Sequence, residues 1–338
     1  YRRLGSTDLA LSEIGFGTGD NAGLMVLADH DQRRAAVRRA LDLGINYFDT
    51  SPDYGKGRSE VQLGEALREL GAAAVLTTKV EIMPEHLGMI ALRVRESVEA
   101  SLKRLGRDSV EIVQLHNPPT LRHDPSIRMW TPITVPDVLG PGGALEALRQ
   151  LRDEGKVRYF GLACEAADPE PVKELIDTGE FHIINVWYNL LNPSAGAAVP
   201  DGLQLDTNYG QIIDYAQRKG VGVAVIRPLA AGALTRQAQG VEGRHALASS
   251  IHMSSSMSVY LDEVRKAGAF NFLVRDDRSL SQAAYRFLLE HPGVTTVISG
   301  PSDIAQLEEV AGWSDTPGLT SDERRRIEAV WQANFATV

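Results

Sequence analysis

The chain has 338 residues, 43% of them hydrophobic and 23% charged, with a formal net charge of −9 and a single cysteine, Cys164. Such a composition is ordinary for a globular protein with a large core, while the acidic balance argues against a nucleic-acid surface, which needs a basic face. One cysteine excludes an intrachain disulfide and Cys-x-x-Cys zinc sites, and with no 18-residue apolar run or signal-peptide pattern a cytoplasmic location is expected.

Short apolar runs alternate with amphipathic stretches from end to end. Tyr1–Leu11, centred on Gly5-Ser6-Thr7-Asp8, reads as a small hairpin. Eight strand–helix units follow. Ile14–Thr18 precedes a helix over Gln32–Leu43, and Asn46–Phe48 precedes Glu60–Leu70. Val75–Lys79 leads to Glu85–Leu105, and Glu111–Leu115 to Gly143–Glu154. Val157–Ala163 pairs with Glu170–Thr178, and Ile183–Trp187 with Tyr209–Lys219. Val221–Ile226 leads to Ser281–Glu290, and Val294–Ser299 to Ile304–Ala311. Leu319–Phe335 is an additional C-terminal helix, with Thr320 or Ser321 as its N-cap. Gly44, Gly106, Gly155 and Gly220 each stop a helix where a left-handed residue is cheapest. Eight consecutive βα units without a linker predict one domain, residues 1–338, folded as a closed (β/α)8 TIM barrel. Gly19–Asp31, Asn117–Gly142 and roughly Pro228–Leu280 are too long for plain βα loops. Each follows a strand, so each belongs to the C-terminal face, where such barrels build their sites.

Four polar residues collect at that face. Asp49 and Tyr54 follow Ile45–Phe48, Lys79 ends the third strand, and His116 follows Leu115. An isolated tyrosine has a pKa near 10 and is a poor acid at neutral pH. A neighbouring ammonium lowers that value, and Lys79, held by Asp49, would supply one. His116 would orient a carbonyl oxygen beside Tyr54. The set suits protonation of that oxygen while a hydride is delivered to carbon. Each residue also has an ordinary reading as a cap, a packed ring, a solvated lysine or a loop support; their joint placement at corresponding strand ends is what singles them out.

The motifs Gly15-Phe16-Gly17-Thr18, Gly44 through Gly55, Ser59-Glu60, Thr78-Lys79, Gln114-Leu115-His116 and Glu154 through Arg158 resemble those of the aldo-keto reductase superfamily over nearly the whole chain. The resemblance implies Tyr54 as general acid/base, Lys79 and Asp49 as groups that depress its pKa, and His116 as the carbonyl-orienting donor. It implies NADP or NAD lying across the barrel mouth. Gly17, Thr18 and Asp49 match positions at the nicotinamide end. Ala163-Cys164 stands where the family has Ser-Asn, Asn185 replaces a glutamine, and Arg227 and Leu229 occupy a segment lacking the usual stacking aromatic. Gly300, Ser302, Gln306 and Glu309 fall in the adenosine-phosphate segment. Gly300 through Gln306 has no basic residue for a 2′-phosphate; Arg236, Arg244 or Arg275 would have to compensate. Trp130, Trp187 and Asp20 are the candidate substrate contacts. The expected activity is interconversion of an aldehyde, ketone or aldose sugar with an alcohol, on a small-molecule substrate and without a nucleic-acid or membrane partner. The alternatives are a cofactor-binding regulatory subunit of a membrane channel, or an NAD-assisted elimination.

Overall fold

The computed structural model describes residues 1–123, 131–235, 245–248 and 257–336. Strands β1 (Arg2–Arg3) and β2 (Ala10–Leu11) form an antiparallel hairpin. The next eight are all parallel: β3 (Ile14–Gly17), β4 (Tyr47–Asp49), β5 (Val75–Val80), β6 (Val110–Leu115), β7 (Val157–Ala163), β8 (Phe181–Trp187), β9 (Gly222–Ile226) and β10 (Thr296–Ser299). They close in sequence order, β10 pairing with β3. The (β/α)8 barrel, the hairpin and the C-terminal helix agree with the sequence reading.

Local chemistry sets the element ends. The helix His30–Asp42 starts at a capping box, with Asp29 accepting from the Gln32 amide, and Ser321–Gln332 starts at another, with Thr320 and Glu323 exchanging bonds. Gly106 ends Ile90–Leu105 at φ 65°, a conformation only glycine adopts without strain. Where one helix was expected over 85–105, the chain makes a 3-10 turn at Pro84–His86 and restarts at Ile90, beyond Gly88. The seventh connection carries a helix, Met257–Gly268, that the sequence reading treated as loop.

Inside the barrel, alternate residues of alternate strands form layers. Tyr47, Ile112, Ile183, Ala224 and Ile298 pack with Leu4, Leu9 and Leu11 of the hairpin region, which plugs the N-terminal end. Each such buried leucine or isoleucine contributes about 1.5–3 kcal/mol over an exposed one. Two residues further along β4, β6 and β8 the bore turns polar, with Asp49, Gln114 and Asn185. Gly161 on β7 makes room there: a Cβ would come within 2.5 Å of the Ile183 side chain and 2.8 Å of Gln114.

Candidate active site

Asp49 is the last residue of β4, one place earlier relative to the strand end than the sequence implied. Lys79 is the penultimate residue of β5, and His116 follows β6 directly. Tyr54 opens the 3-10 turn Tyr54–Gly57, where left-handed Gly55 and Lys56 turn the chain into the next helix. Thus the four candidates do converge. Asp49, Lys79 and His116 are 3%, 2% and 5% exposed.

Lysine has three donors and no acceptor, and all three of Lys79 are used. Nζ donates to Asp49 Oδ1 at 2.5 Å, to the Thr50 carbonyl at 2.9 Å and to the Tyr54 hydroxyl at 3.3 Å. Asn185 Nδ2 donates to the other oxygen of Asp49 at 3.2 Å. His116 Nδ1 lies 3.3 Å from Ser51 Oγ, which also accepts from the Asp53 amide. Its ring meets Tyr54 edge-on at 6.0 Å. Burial, then the charge of Lys79, holds the His116 pKa well below its ordinary value, so the imidazole is neutral at physiological pH.

The phenol departs from expectation. The sequence reading had Lys79 and Asp49 lower the Tyr54 pKa; instead burial, followed by the charges of Asp49, Glu165, Asp53 and Asp20, pushes it well up. Asp49 acts on Lys79 as expected, but its direct effect on the phenol is the opposite. These carboxylates come from the end of β4 and from the connections after β3, β4 and β7, which is why no motif announced them. One of the group, Glu165, was not anticipated, and neither was Glu81, which neighbours Asp53. Glu165, next to Cys164, has its pKa pushed up to about 7 by burial, against the pull of Arg227 and Lys79. Glu81, just past β5, also rises to about 7, through burial and Asp53. The only sequence signal for Glu165 was its place two residues past the end of a barrel strand.

The expected cofactor positions are less uniform. Gly17 has no space for a side chain against Ile298. Thr18 is buried and bonded to the Asp49 carbonyl and Ser59. Ala163 and Cys164 are buried, and burial pushes the Cys164 thiol pKa up, leaving it unreactive. Arg227 is committed: it bonds both oxygens of Glu263 at 2.9 and 3.1 Å and lies 4.5 Å over the Trp187 ring. Leu229 is partly buried against the core. In the segment expected to meet the adenosine phosphate, Asp303 accepts from the Gln306 amide at 2.8 Å, Gln306 accepts from the Ser302 amide at 2.9 Å, and His245 lies 3.5 Å from Asp303. Gly300 approaches Ala22, and Glu309 accepts from Ser279 at 2.5 Å. Arg275 is bound to Glu323 and is not free for a phosphate. Trp130, Arg236 and Arg244 lie outside the described residues.

Two buried polar atoms at the mouth have no hydrogen-bond partner among the described residues: Asp20 Oδ1 and Trp187 Nε1. Such orphans are uncommon in folded proteins. An acceptor and a donor left open at strand ends of the mouth fit a polar small molecule.

A closed parallel barrel with a lysine-bridged tyrosine and aspartate at its C-terminal mouth defines a class of site for small-molecule chemistry. The match to the model of the Aldo/keto reductase family over residues 13–332 makes the assignment specific: the chain belongs to that family of oxidoreductases, which use nicotinamide cofactors. It is 29% identical to L-galactose dehydrogenase of Arabidopsis thaliana over 97% of this chain and 93% of that protein. It is also 29% identical to a putative voltage-gated potassium channel subunit beta of Schizosaccharomyces pombe, over 98% and 92%. A holo-form aldo-keto reductase structure from Bacillus halodurans superposes with a TM-score of 0.68 at 24% identity, covering 97% of this chain and 95% of that one, a likeness of fold.

Proposed function

We propose that the protein is an NAD(P)-dependent oxidoreductase that interconverts an aldose or a related hydroxylated carbonyl compound with its oxidised or reduced partner, Tyr54 exchanging the proton. The observation that carries this reading is Lys79 Nζ, held by Asp49 and the Thr50 carbonyl and donating its remaining N–H to the Tyr54 hydroxyl. The raised pKa keeps Tyr54 as a phenol, the form that donates a proton to a carbonyl oxygen gaining negative charge. Lys79 then stabilises the phenolate left behind. If the Ser51 hydroxyl donates to His116 Nδ1, the imidazole proton resides on Nε2, a neutral donor for the same oxygen. When bound, the nicotinamide supplies or accepts the hydride at the adjacent carbon.

Asp20 Oδ1 and Trp187 Nε1 offer one acceptor and one donor to substrate hydroxyls. With Asp20, Asp53 and Glu165 near the phenol, the mouth suits a neutral polyol better than a carboxylated or phosphorylated one. Similarity to a galactose dehydrogenase points the same way. Gly17, Thr18, Arg227 and Leu229 border the nicotinamide end in this reading, and Gly300, Ser302, Gln306 and Glu309 the adenosine end. Because Asp303 caps the helix there and no base lies between Gly300 and Gln306, NAD is the better fit of the two dinucleotides.

The test is a panel of neutral aldoses, the matching uronic acids and simple aldehydes, assayed in both directions by absorbance of the reduced nicotinamide. Turnover concentrated in the neutral sugars supports the proposal. Tight cofactor binding with no turnover of any carbonyl or alcohol would sink it and leave the channel-subunit reading.

A further inference from the structure

Asn185 stands where the superfamily resemblance places a glutamine at the nicotinamide end of the cofactor, yet its side chain is already engaged elsewhere. It lies on β8, and in the strand order β10-β3-β4-β5-β6-β7-β8-β9 that is the strand opposite β4. Its amide nitrogen crosses the bore and donates to Asp49 Oδ2 at 3.2 Å. Its carbonyl oxygen accepts from Gln114 Nε2 of β6 at 3.0 Å. The direction is forced, because an ionised carboxylate can only accept. Asn185 is 1% and Gln114 0% exposed. The Asp49 carboxylate is therefore gripped on both oxygens, by Lys79 on one and Asn185 on the other.

We infer that Asn185 is a positioning residue for the proton donor: through Asp49 Oδ2 it fixes the carboxylate that aims Lys79 at Tyr54, and Gln114 fixes Asn185 in turn. A carboxylate rotates about its last single bond, and a single ammonium contact leaves that rotation soft. A second donor across the barrel stops it. It also satisfies an oxygen that would otherwise be buried without a partner, a costly state for a charged group. The whole chain from Gln114 to Tyr54 spans β6, β8, β4 and β5, so the geometry of the phenol's ammonium is referred to the rigid barrel and not to a loop. The resemblance implies a longer glutamine at this position; here the asparagine amide reaches Asp49.

This inference rests on the reading of Tyr54 as proton donor. The experiment compares wild type with Asn185→Leu, which removes the amide, and with Asn185→Asp, which keeps the shape but turns a donor toward Asp49 into a like charge. For each, the pH profile of kcat/KM is recorded with the best substrate, and the Kd for the reduced cofactor is measured by fluorescence. Without its donor, or facing a second carboxylate, Asp49 takes up a proton more readily. The expected result is an acid limb moved upward by at least about half a pH unit in both variants, a kcat lowered about tenfold or more, and a cofactor Kd within about twofold of wild type. Acid limbs that stay in place in both variants overturn the inference, and a cofactor Kd weakened tenfold at the same time would return Asn185 to the role of cofactor contact. A wild-type protein that turns over nothing would instead defeat the proposed function, so the two failures are distinguishable.

Discussion

The proposed proton end and the proposed cofactor end of the barrel mouth are built on different principles. At the proton end every donor of Lys79 is assigned, both oxygens of Asp49 are bonded, and the residues come from strands or the turn directly after one. At the cofactor end the same kinds of side chain serve the protein itself. Arg227 ties the seventh-connection helix Met257–Gly268 to Trp187 through Glu263, and Asp303 caps its own helix. The contrast teaches where chemical constancy resides: a proton donor needs fixed geometry from the scaffold, whereas a dinucleotide can be held by many arrangements of backbone and loop.

Outside the phenol itself, the largest expected effect comes from Lys79→Met. It leaves Asp49 charged and unpaired in the bore, so kcat/KM should fall at least about a hundredfold. Removing one member of such a buried pair should also cost about 3–5 kcal/mol of stability, readable by denaturant titration. A variant that stays active would break the claim that the proton end is a single unit. Next in size is cofactor choice. Fluorescence titration should give NADH a Kd about tenfold below that of NADPH, or roughly 1.4 kcal/mol; equal or reversed affinities would mean that bases outside Gly300–Gln306 reach the 2′-phosphate.

A smaller effect concerns pH and stability. Glu81 and Glu165 titrate near 7 in the folded protein against an ordinary value of 4.5. The folded state therefore holds more protons than the unfolded one between those values, and stability falls as pH rises through that window. The penalty is absent below about 4.5 and complete above about 7. Glu165→Gln should raise Tm above pH 7 and leave it unchanged at pH 4; an equal rise at both would refute the burial of an ionising carboxyl. The smallest effect is expected for Arg227→Ala. Its guanidinium already serves Glu263, so cofactor Kd should change no more than about threefold, the scale of a partly exposed ion pair. A tenfold loss would show that Arg227 grips the cofactor directly.

Much of this was legible in the chain. Strands buried on both faces read as continuous apolar runs, and β7 and the helix Ile304–Ala311 match the expected limits to the residue. The four residues of the proton end were legible because each is tied to a strand end. What stayed hidden depends on contacts distant in sequence. Asn185 and Asp49 lie 136 positions apart, and nothing local marks their bond. The upward Tyr54 shift comes first from burial and then from carboxylates, some of them distant in sequence. The helix Met257–Gly268 was missed because Met257, Val259 and Leu261 are exposed and blur its apolar periodicity.

Tyr54→Phe probes the proton end most directly, because it removes one oxygen and keeps the ring between Lys79 and His116. The measurement is single-turnover reduction of the best sugar or aldehyde by prebound reduced cofactor, with wild type alongside. The expected result is unchanged cofactor binding and a hydride-transfer rate lower by about 10²–10⁴-fold. A rate within a few-fold of wild type would contradict Tyr54 as the proton donor, and with it the role assigned to Lys79 and Asp49.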